Sequence, residues 1–171
     1  MVLKGSYLLV LSVKKRIRFK PGSLPRAELP AGCYVYVGSA KGPGGFEKRV
    51  LRHLKKVKKA RWHIDYLTGR KDVEVESVFY TSPRYSESLL INFLSSLGFR
   101  KVIKGFGTTD HPGDFSHLLY SGEDEGKTID RIKSAMVKRG FYFILFEKDS
   151  LRGFSNHTRD VQKVGWGRVR G

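Results

Sequence analysis

The chain has 171 residues, 40% hydrophobic and 12% aromatic, so it is long and apolar enough to bury a core. It carries 33 Lys and Arg against 16 Asp and Glu, and this net charge of +17 favours a polyanionic partner. No apolar run approaches the roughly 20 residues that span a bilayer, and the beginning lacks the pattern of a secretory signal. The single cysteine, Cys33, excludes an intrachain disulfide and a cysteine-based zinc site, so we predict a cytoplasmic protein.

Three segments near the beginning of the chain have the composition of strands. They are the apolar run SYLLVLSV at 6–13, the alternating RIRFK at 16–20 and the β-branched and aromatic CYVYV at 33–37. The connector PGSLPRAELPAG holds three prolines and two glycines, which predicts an irregular segment. We expect the three strands to form one antiparallel sheet.

A helical period follows, beginning at Gly44. The spacing of Phe46, Val50, Leu54 and Val57 predicts one apolar stripe that packs on the sheet. The segment WHIDYLTGR is predicted to form a second, short helix that ends at Gly69 in the left-handed conformation.

The rest of the chain predicts alternating helices and strands. We expect a strand at 73–80, a helix over YSESLLINFLSSLG that ends at Gly98, a turn-rich loop and a strand at 116–120. An acidic linker (SGEDEG), a helix (KTIDRIKSAMVKR) and a strand (FYFILFE) come next. The predicted fold class is therefore α+β, with a small central antiparallel sheet flanked by helices. We divide the chain into a domain at 1–120, a helix-strand extension at 121–149 and a basic, flexible tail at 150–171.

The glycine-rich loop GSAKGPGG invites comparison with nucleotide-binding loops. It lacks the Gly-Lys-Ser/Thr ending of a P-loop and the glycine spacing of a dinucleotide fingerprint. Two interpretations remain: an anion site at a helix N-terminus, or glycines required only by a tight turn.

Arg49 and His53 are four residues apart on the predicted helix, so their side chains lie on one face. A guanidinium binds phosphate oxygens and an imidazole transfers protons near neutral pH, which suits phosphodiester chemistry. The alternative is an ordinary solvated basic face. Tyr7 and Tyr36, on two neighbouring strands, matter only if both hydroxyls reach the same pocket as Arg49, since buried tyrosines usually just find a hydrogen-bond partner.

Glu87 is the only carboxylate between Ser77 and Phe106, and it begins a predicted helix. It is either a favourable first-turn acid or an oxygen ligand of Mg²⁺, which needs only one or two protein carboxylates. Asp110, His111, Asp114 and His117 form a further polar cluster, whose spacing matches no metal signature.

The basic run after Arg49 predicts a nucleic-acid contact surface. No acidic residue interrupts positions 48–61, and the first 120 residues hold 22 of the 33 basic side chains. At a spacing of two on a helix, His63 and Asp65 face differently and are interpreted as structural or DNA-contacting. The candidate contacts are Lys48, Arg52, Lys55, Lys56, Lys58, Lys59, Arg61 and His63.

Several of these segments together resemble the GIY-YIG nuclease superfamily. The residues GSY at 5–7 and YVG at 36–38 resemble the two halves of its signature, and Arg49, His53 and Glu87 follow in its order. The segments YVYVGSAKGPGG, RVLRHL, RWHIDYL and the SHLLY ending resemble, more narrowly, a small and largely archaeal branch described as a domain of unknown function. The resemblance spans about residues 4–120.

This resemblance implies a metal-dependent endonuclease that uses Mg²⁺ or Mn²⁺ to hydrolyse phosphodiester bonds in DNA. Structured or damaged DNA is the candidate substrate. Tyr7 or Tyr36 would help to activate water, Arg49 would stabilise charge on the phosphate, His53 would orient or shuttle a proton and Glu87 would hold the metal. Asp110 and His117 occupy the place of a late Asn found in many such nucleases. The alternatives are a non-catalytic, basic DNA- or RNA-binding module on the same fold, and an accessory of RNA or the ribosome.

Side-chain amides are scarce, with only Asn92, Asn156 and Gln162. Depletion of thermolabile side chains together with abundant charge is typical of proteins from hot environments, so a thermophilic source is our hypothesis.

Overall fold

A computed structural model describes residues 2–156 of the chain, with the side chains of 154–156 left out. The described part has eight strands: β1 Ser6–Val13, β2 Ile17–Phe19, β3 Ala27–Leu29, β4 Gly32–Ser39, β5 Val73–Thr81, β6 Arg100–Lys101, β7 Leu118–Tyr120 and β8 Phe143–Glu147. It has five helices: α1 Gly45–Leu54, α2 Asp65–Thr68, α3 Glu87–Ser96, α4 Glu125–Lys138 and α5 Lys148–Asn156. The predicted α+β class is confirmed.

Six strands form an antiparallel sheet in the order β6-β7-β4-β1-β5-β8. The strand β1 lies in its middle and every one of its eight residues is buried, which explains the continuous apolar run of its sequence. Since successive side chains of a strand point to opposite faces, β1 contributes to a core on each side of the sheet.

The two cores are covered by different helices. On one face, Tyr7, Leu9 and Leu11 pack with Phe46 and Val50 of α1, as the apolar stripe predicted. On the other face, Leu8 and Val10 pack with the buried side chains of α3 and α4 (Leu90, Ile91, Phe93, Leu94, Ile132 and Met136). Among the described residues, no helix is long and apolar enough to cross a membrane.

The second predicted strand does not join the main sheet. It forms β2, which pairs with β3 in a separate two-stranded hairpin. The predicted irregular connector thus contains β3, whose alternation is too short to stand out between prolines. Ile17, Phe19 and Leu29 are buried under this hairpin and attach it to the α1-side core.

The helix α1 ends at Leu54, so the predicted extension of its stripe to Val57 is wrong. Lys55 adopts an extended conformation (φ −72°, ψ 124°) and Val57 is 94% exposed. The predicted left-handed ending at Gly69 is also wrong, since this residue keeps a right-handed helical φ of −74°. The strand β6 was not predicted, and its two exposed residues carry no apolar pattern.

The helix-strand extension is confirmed, with two differences. The helix α4 begins inside the predicted acidic linker, because Asp124 accepts a hydrogen bond from the Lys127 N–H and caps it. The predicted flexible tail begins as the helix α5, and the remainder of that prediction, residues 157–171, lies outside the described residues.

Candidate active site

A cleft of about 220 Å³ lies at the end of the sheet where β1 begins and β4 and β5 end. Tyr7 of β1, Tyr36 of β4, Arg49 of α1 and Glu87 of α3 all line this cleft. Four of the five predicted catalytic residues are therefore brought together, two from the sheet and one from a helix on each of its faces. The fifth, His53, lies behind Tyr7 and lines a separate cavity with Leu54 and Val75.

Tyr7 and His53 form a buried pair. The Tyr7 hydroxyl lies 2.7 Å from His53 Nε2, and both residues are 1% exposed. Burial raises the pKa of Tyr7 well above its ordinary value and lowers the pKa of His53 to about 3. The pair is therefore neutral near pH 7. His53 is suited to orienting the Tyr7 hydroxyl, which is one of the two roles that the resemblance implied. It is not suited to the other, proton transfer near neutral pH.

The glycine of the YVG triplet at 36–38 has a packing reason. Gly38 lies opposite Tyr7 in the β1–β4 register, and a Cβ atom at Gly38 would come within 2.4 Å of the Tyr7 ring. The absence of a side chain there leaves room for that ring. The strand β4 includes Gly32 and Gly38, the two glycines that were predicted to bound it. Tyr36, 8% exposed, has a pKa that burial raises, so its hydroxyl is also neutral.

Arg49 is supported by an aromatic ring that the sequence analysis did not assign. Its guanidinium carbon lies 3.9 Å from the centroid of Trp62, which also lines the cleft. The backbone around Trp62 is fixed by Asp65, whose buried Oδ2 accepts hydrogen bonds from the N–H groups of Arg61 (2.9 Å) and Trp62 (3.1 Å) and from Arg52 Nη2 (2.7 Å). Asp65 is therefore structural, which is one of the two predicted roles.

Glu87 stands in the first turn of α3 and contacts two imidazoles. Its Oε2 lies 2.5 Å from His111 Nε2, and its Oε1 lies 3.9 Å from His117 Nδ1. His117 is fully buried, and its Nε2 lies 2.8 Å from Asp114 Oδ2. Burial raises the pKa of Asp114, but hydrogen bonds from His117 and Ser88 outweigh this and lower it overall. Of the two further predicted residues, Asp110 lines the cleft and His117 lies behind Glu87.

The predicted nucleic-acid contacts divide into two groups. Lys48, Lys55, Lys59 and Arg61 are exposed, and His63, whose Nδ1 accepts a hydrogen bond from the Gly107 N–H at 2.9 Å, lines the cleft with Arg61. The charged groups of Lys56, Lys58 and Arg52 instead bond to the protein itself. These three side chains therefore have structural contacts, and the nucleic-acid contact of all eight residues stays a prediction.

Comparison with known proteins places the chain in a family. The profile of a family described as "domain of unknown function DUF123" matches residues 6–140. The chain belongs to the DUF123 family. No curated protein and no solved structure matches the chain.

The DUF123 match covers every element that lines the cleft. It runs from the first residue of β1 through α4, whereas β8 and α5 lie beyond it. The family match therefore continues past residue 120, where the sequence resemblance ended.

The cleft of this DUF123 domain offers oxygen ligands for a hard cation. Among residues 2–156, no group of three or more His, Cys, Asp or Glu side chains is arranged to hold a metal ion. Mg²⁺, however, needs only one or two carboxylates because it keeps several waters, and the carboxylates of Glu87 and Asp110 line the same cleft. The donor set is compatible with such an ion.

Proposed function

We propose that this DUF123 protein is a metal-dependent endonuclease of the GIY-YIG type that hydrolyses phosphodiester bonds in DNA. One observation carries the proposal: Tyr7, Tyr36, Arg49 and Glu87 line one cleft although they lie on four different elements. The sequence resemblance assigned them to one site before their positions were known, and residues without a shared role have no reason to converge in this way. The net charge of +17 supports a polyanionic substrate.

Arg49 is proposed to stabilise the charge that develops on the phosphate. A guanidinium donates two parallel hydrogen bonds to phosphate oxygens, and such donors accelerate a reaction most when they are held in place beforehand. Stacking on Trp62 holds the guanidinium against the cleft wall. Among residues 2–156, no carboxylate forms an ion pair with Arg49.

Tyr7 is proposed to orient the attacking water as a neutral hydroxyl. The raised pKa of Tyr7 makes a phenolate base scarce at neutral pH, so the hydroxyl acts by hydrogen bonding. His53 Nε2, 2.7 Å away, is proposed to accept a hydrogen bond from this hydroxyl in the tautomer that carries its proton on Nδ1, so that the oxygen lone pairs remain available to the water. Tyr36 lies on the same wall and is proposed to hold a substrate oxygen or the water in the same manner.

Glu87 is proposed to hold Mg²⁺ or Mn²⁺, together with Asp110, which lines the same cleft. When bound, such a cation neutralises phosphate charge and lowers the pKa of a water molecule. His111 lies 2.5 Å from Glu87 Oε2 and fixes the orientation of that carboxylate.

A cleavage assay with matched variants tests the proposal. Purified protein is incubated with Mg²⁺ or Mn²⁺ and a panel of duplex, single-stranded, nicked, flapped and junction DNAs. We expect Glu87→Gln and Arg49→Lys each to lower the cleavage rate about a hundredfold or more, because each removes an interaction with developing charge. The controls are Glu147→Gln, an exposed residue at the end of the edge strand β8, and Arg139→Lys, whose guanidinium also lies over a ring.

Identical cleavage by the wild type and Glu87→Gln would mean that the activity is a contaminant, and the nuclease proposal would fail. A non-catalytic DNA-binding module is the second candidate, favoured by one contact: the Glu87 carboxylate is already engaged by His111. That candidate predicts DNA binding without cleavage of any member of the panel, at wild-type affinity in Glu87→Gln.

A further inference from the structure

The segment between α1 and α2 directs its side chains in two opposite directions. Residues 55–61 are not helical, and the ammonium groups of Lys56 and Lys58 bond to the protein itself, although Lys56 as a whole residue is exposed. The side chains before, between and after these two lysines, except that of Ala60, are exposed to solvent. We name this outward set the outer strip: Lys55, Val57, Lys59 and Arg61, all exposed.

The two inward lysines hold the segment in place. Lys56 Nζ donates hydrogen bonds to the carbonyl oxygens of Thr68 (3.2 Å), Arg70 (2.8 Å) and Val73. Lys58 Nζ donates to Arg52 O (2.9 Å) and Thr68 Oγ1 (2.6 Å), and only 5% of its side chain is exposed. The backbone that carries the outer strip is therefore ordered before any partner binds, which lowers the entropic cost of binding.

The outer strip leads into the candidate active site. Arg61, its last residue, lines the cleft, and so does the next residue, Trp62. Trp62 is 36% exposed and Tyr66, one helical turn further, is 38% exposed. Val57 is 94% exposed, an unusual position for a large apolar side chain between two cations. No acidic residue occurs between Glu47 and Asp65, so nothing in this stretch repels a phosphate backbone.

We propose that the outer strip, with Trp62 and Tyr66, binds single-stranded DNA and guides it into the cleft, an inference that rests on the proposed nuclease function. Cations placed along a backbone path and aromatic rings at its end are the components that bind single strands without sequence preference. The aromatic component decides between the two forms of DNA. The Trp62 ring already carries the guanidinium groups of Arg49 (3.9 Å) and Arg52 (4.9 Å), so Tyr66 is the ring proposed to receive a base. Only unpaired bases expose a flat face to such a ring, whereas a duplex buries those faces in its own stack. The preferred substrate then contains a single-stranded segment, such as a flap.

Binding of oligonucleotides tests this inference without any cleavage. The affinities of a fluorescein-labelled 16-nucleotide oligothymidylate and a 16-base-pair duplex are measured by anisotropy, with EDTA present and at several salt concentrations. We expect the oligothymidylate to bind about tenfold more tightly or better. The double variant Lys55→Ala/Lys59→Ala should lower the salt slope by about 1.4, since each phosphate contact on a single strand contributes about 0.7.

Tyr66 provides the variant that separates stacking from charge. Tyr66→Leu should weaken oligothymidylate binding about tenfold without changing the salt slope, whereas Tyr66→Phe keeps the ring and should bind like the wild type. The charge-matched control is Lys127→Ala/Lys138→Ala on α4, which covers the opposite face of the sheet. Equal affinity for the duplex, or strip variants that behave like this control, would overturn the inference.

The same measurements keep the two proposals apart. If no DNA is cleaved but oligothymidylate binding depends on the outer strip and Tyr66, the nuclease proposal fails and the strip is still a single-strand site. If DNA is cleaved in a Glu87-dependent way but the strip and Tyr66 variants bind oligothymidylate like the wild type, the reverse holds.

Discussion

At the scale of single residues, Gly38 determines whether the Tyr7–His53 pair can form. The Tyr7 ring lies directly over this glycine, and any Cβ there would come within 2.4 Å of its Cζ and hydroxyl oxygen. Because the Tyr7 ring is only 1% exposed and its hydroxyl is bonded to His53, the ring has little freedom to move aside. The glycine of the YVG triplet thus has a steric role rather than a role in chain turning.

Gly38→Ala is therefore expected to destabilise the protein by about 1–3 kcal/mol, as overpacking of a core does. The matched control is Gly42→Ala in the following loop, where a Cβ would meet no atom within 4 Å. Urea unfolding of both variants measures the difference. A Gly38→Ala variant as stable as Gly42→Ala would show that Tyr7 can move aside, and the steric role assigned to Gly38 would be incorrect.

At the scale of elements, the inward lysines explain where α1 stops. Apolar spacing alone continues the helix to Val57, but continuing it would prevent Lys56 from reaching the carbonyl groups of Thr68, Arg70 and Val73. These carbonyls run from Thr68, the last residue of α2, to Val73, the first residue of β5, and the last carbonyl groups of a helix have no donor within it. The Lys56 ammonium thus connects the segment after α1 to the end of α2 and the start of β5.

Lys56→Met and its neighbour Lys55→Met make a matched pair, since each removes one charge. We expect Lys56→Met to lower the free energy of unfolding by about 1–3 kcal/mol, because it removes a charged donor to three carbonyl oxygens, two of them in part-buried bonds. Lys55→Met, which removes none of these bonds, should stay within about 0.5 kcal/mol of the wild type. Thermal and urea unfolding provide the measurement, and equal losses in the two variants would contradict the structural role of Lys56.

The sequence located most elements and four of the five catalytic candidates in the cleft, because strand composition and the order of motif residues are local properties. It did not locate Trp62 as the support of Arg49, since that contact depends on where Asp65 holds the chain. One signal was present: Asp65 is the first acid after a long basic run, and such a lone carboxylate is well placed to be a buried counter-charge. The roles of Lys56 and Lys58 could not be separated from those of Lys55 and Lys59, because side-chain direction in an irregular segment has no sequence period.

At the scale of the whole molecule, the C-terminal extension completes the sheet. The strand β8 pairs with β5 along five residues and forms one edge of the sheet. On the face of the sheet opposite α1, Ile132 and Met136 of α4 are 0% exposed and pack against Leu8 and Val10 of the central strand. A chain that ended at residue 120 would expose to solvent the part of this apolar face that α4 covers.

A fragment of residues 1–120 is therefore expected to lack cooperative unfolding and to bind a hydrophobic dye, because the edge strand β8 and the helix α4, which covers part of one core, are missing. A fragment of residues 1–156, which keeps α4, β8 and α5, is the control and should unfold in one transition. Circular dichroism and dye fluorescence measure both. Cooperative unfolding of the shorter fragment would show that the extension is an independent unit rather than part of the sheet.

The cleft and the outer strip differ in how far along the chain their contacts reach. The bonds that hold the strip join residues 6 to 17 positions apart, whereas the Tyr7–His53 bond spans 46 positions and Ser88 bonds Asp114 across 26. Contacts between nearby residues close with little loss of chain entropy and form early, whereas distant ones wait for the whole topology. During folding, the surface proposed to bind a polyanion is thus expected to form before the surface proposed to cleave it, and local unfolding would disrupt the two in the opposite order.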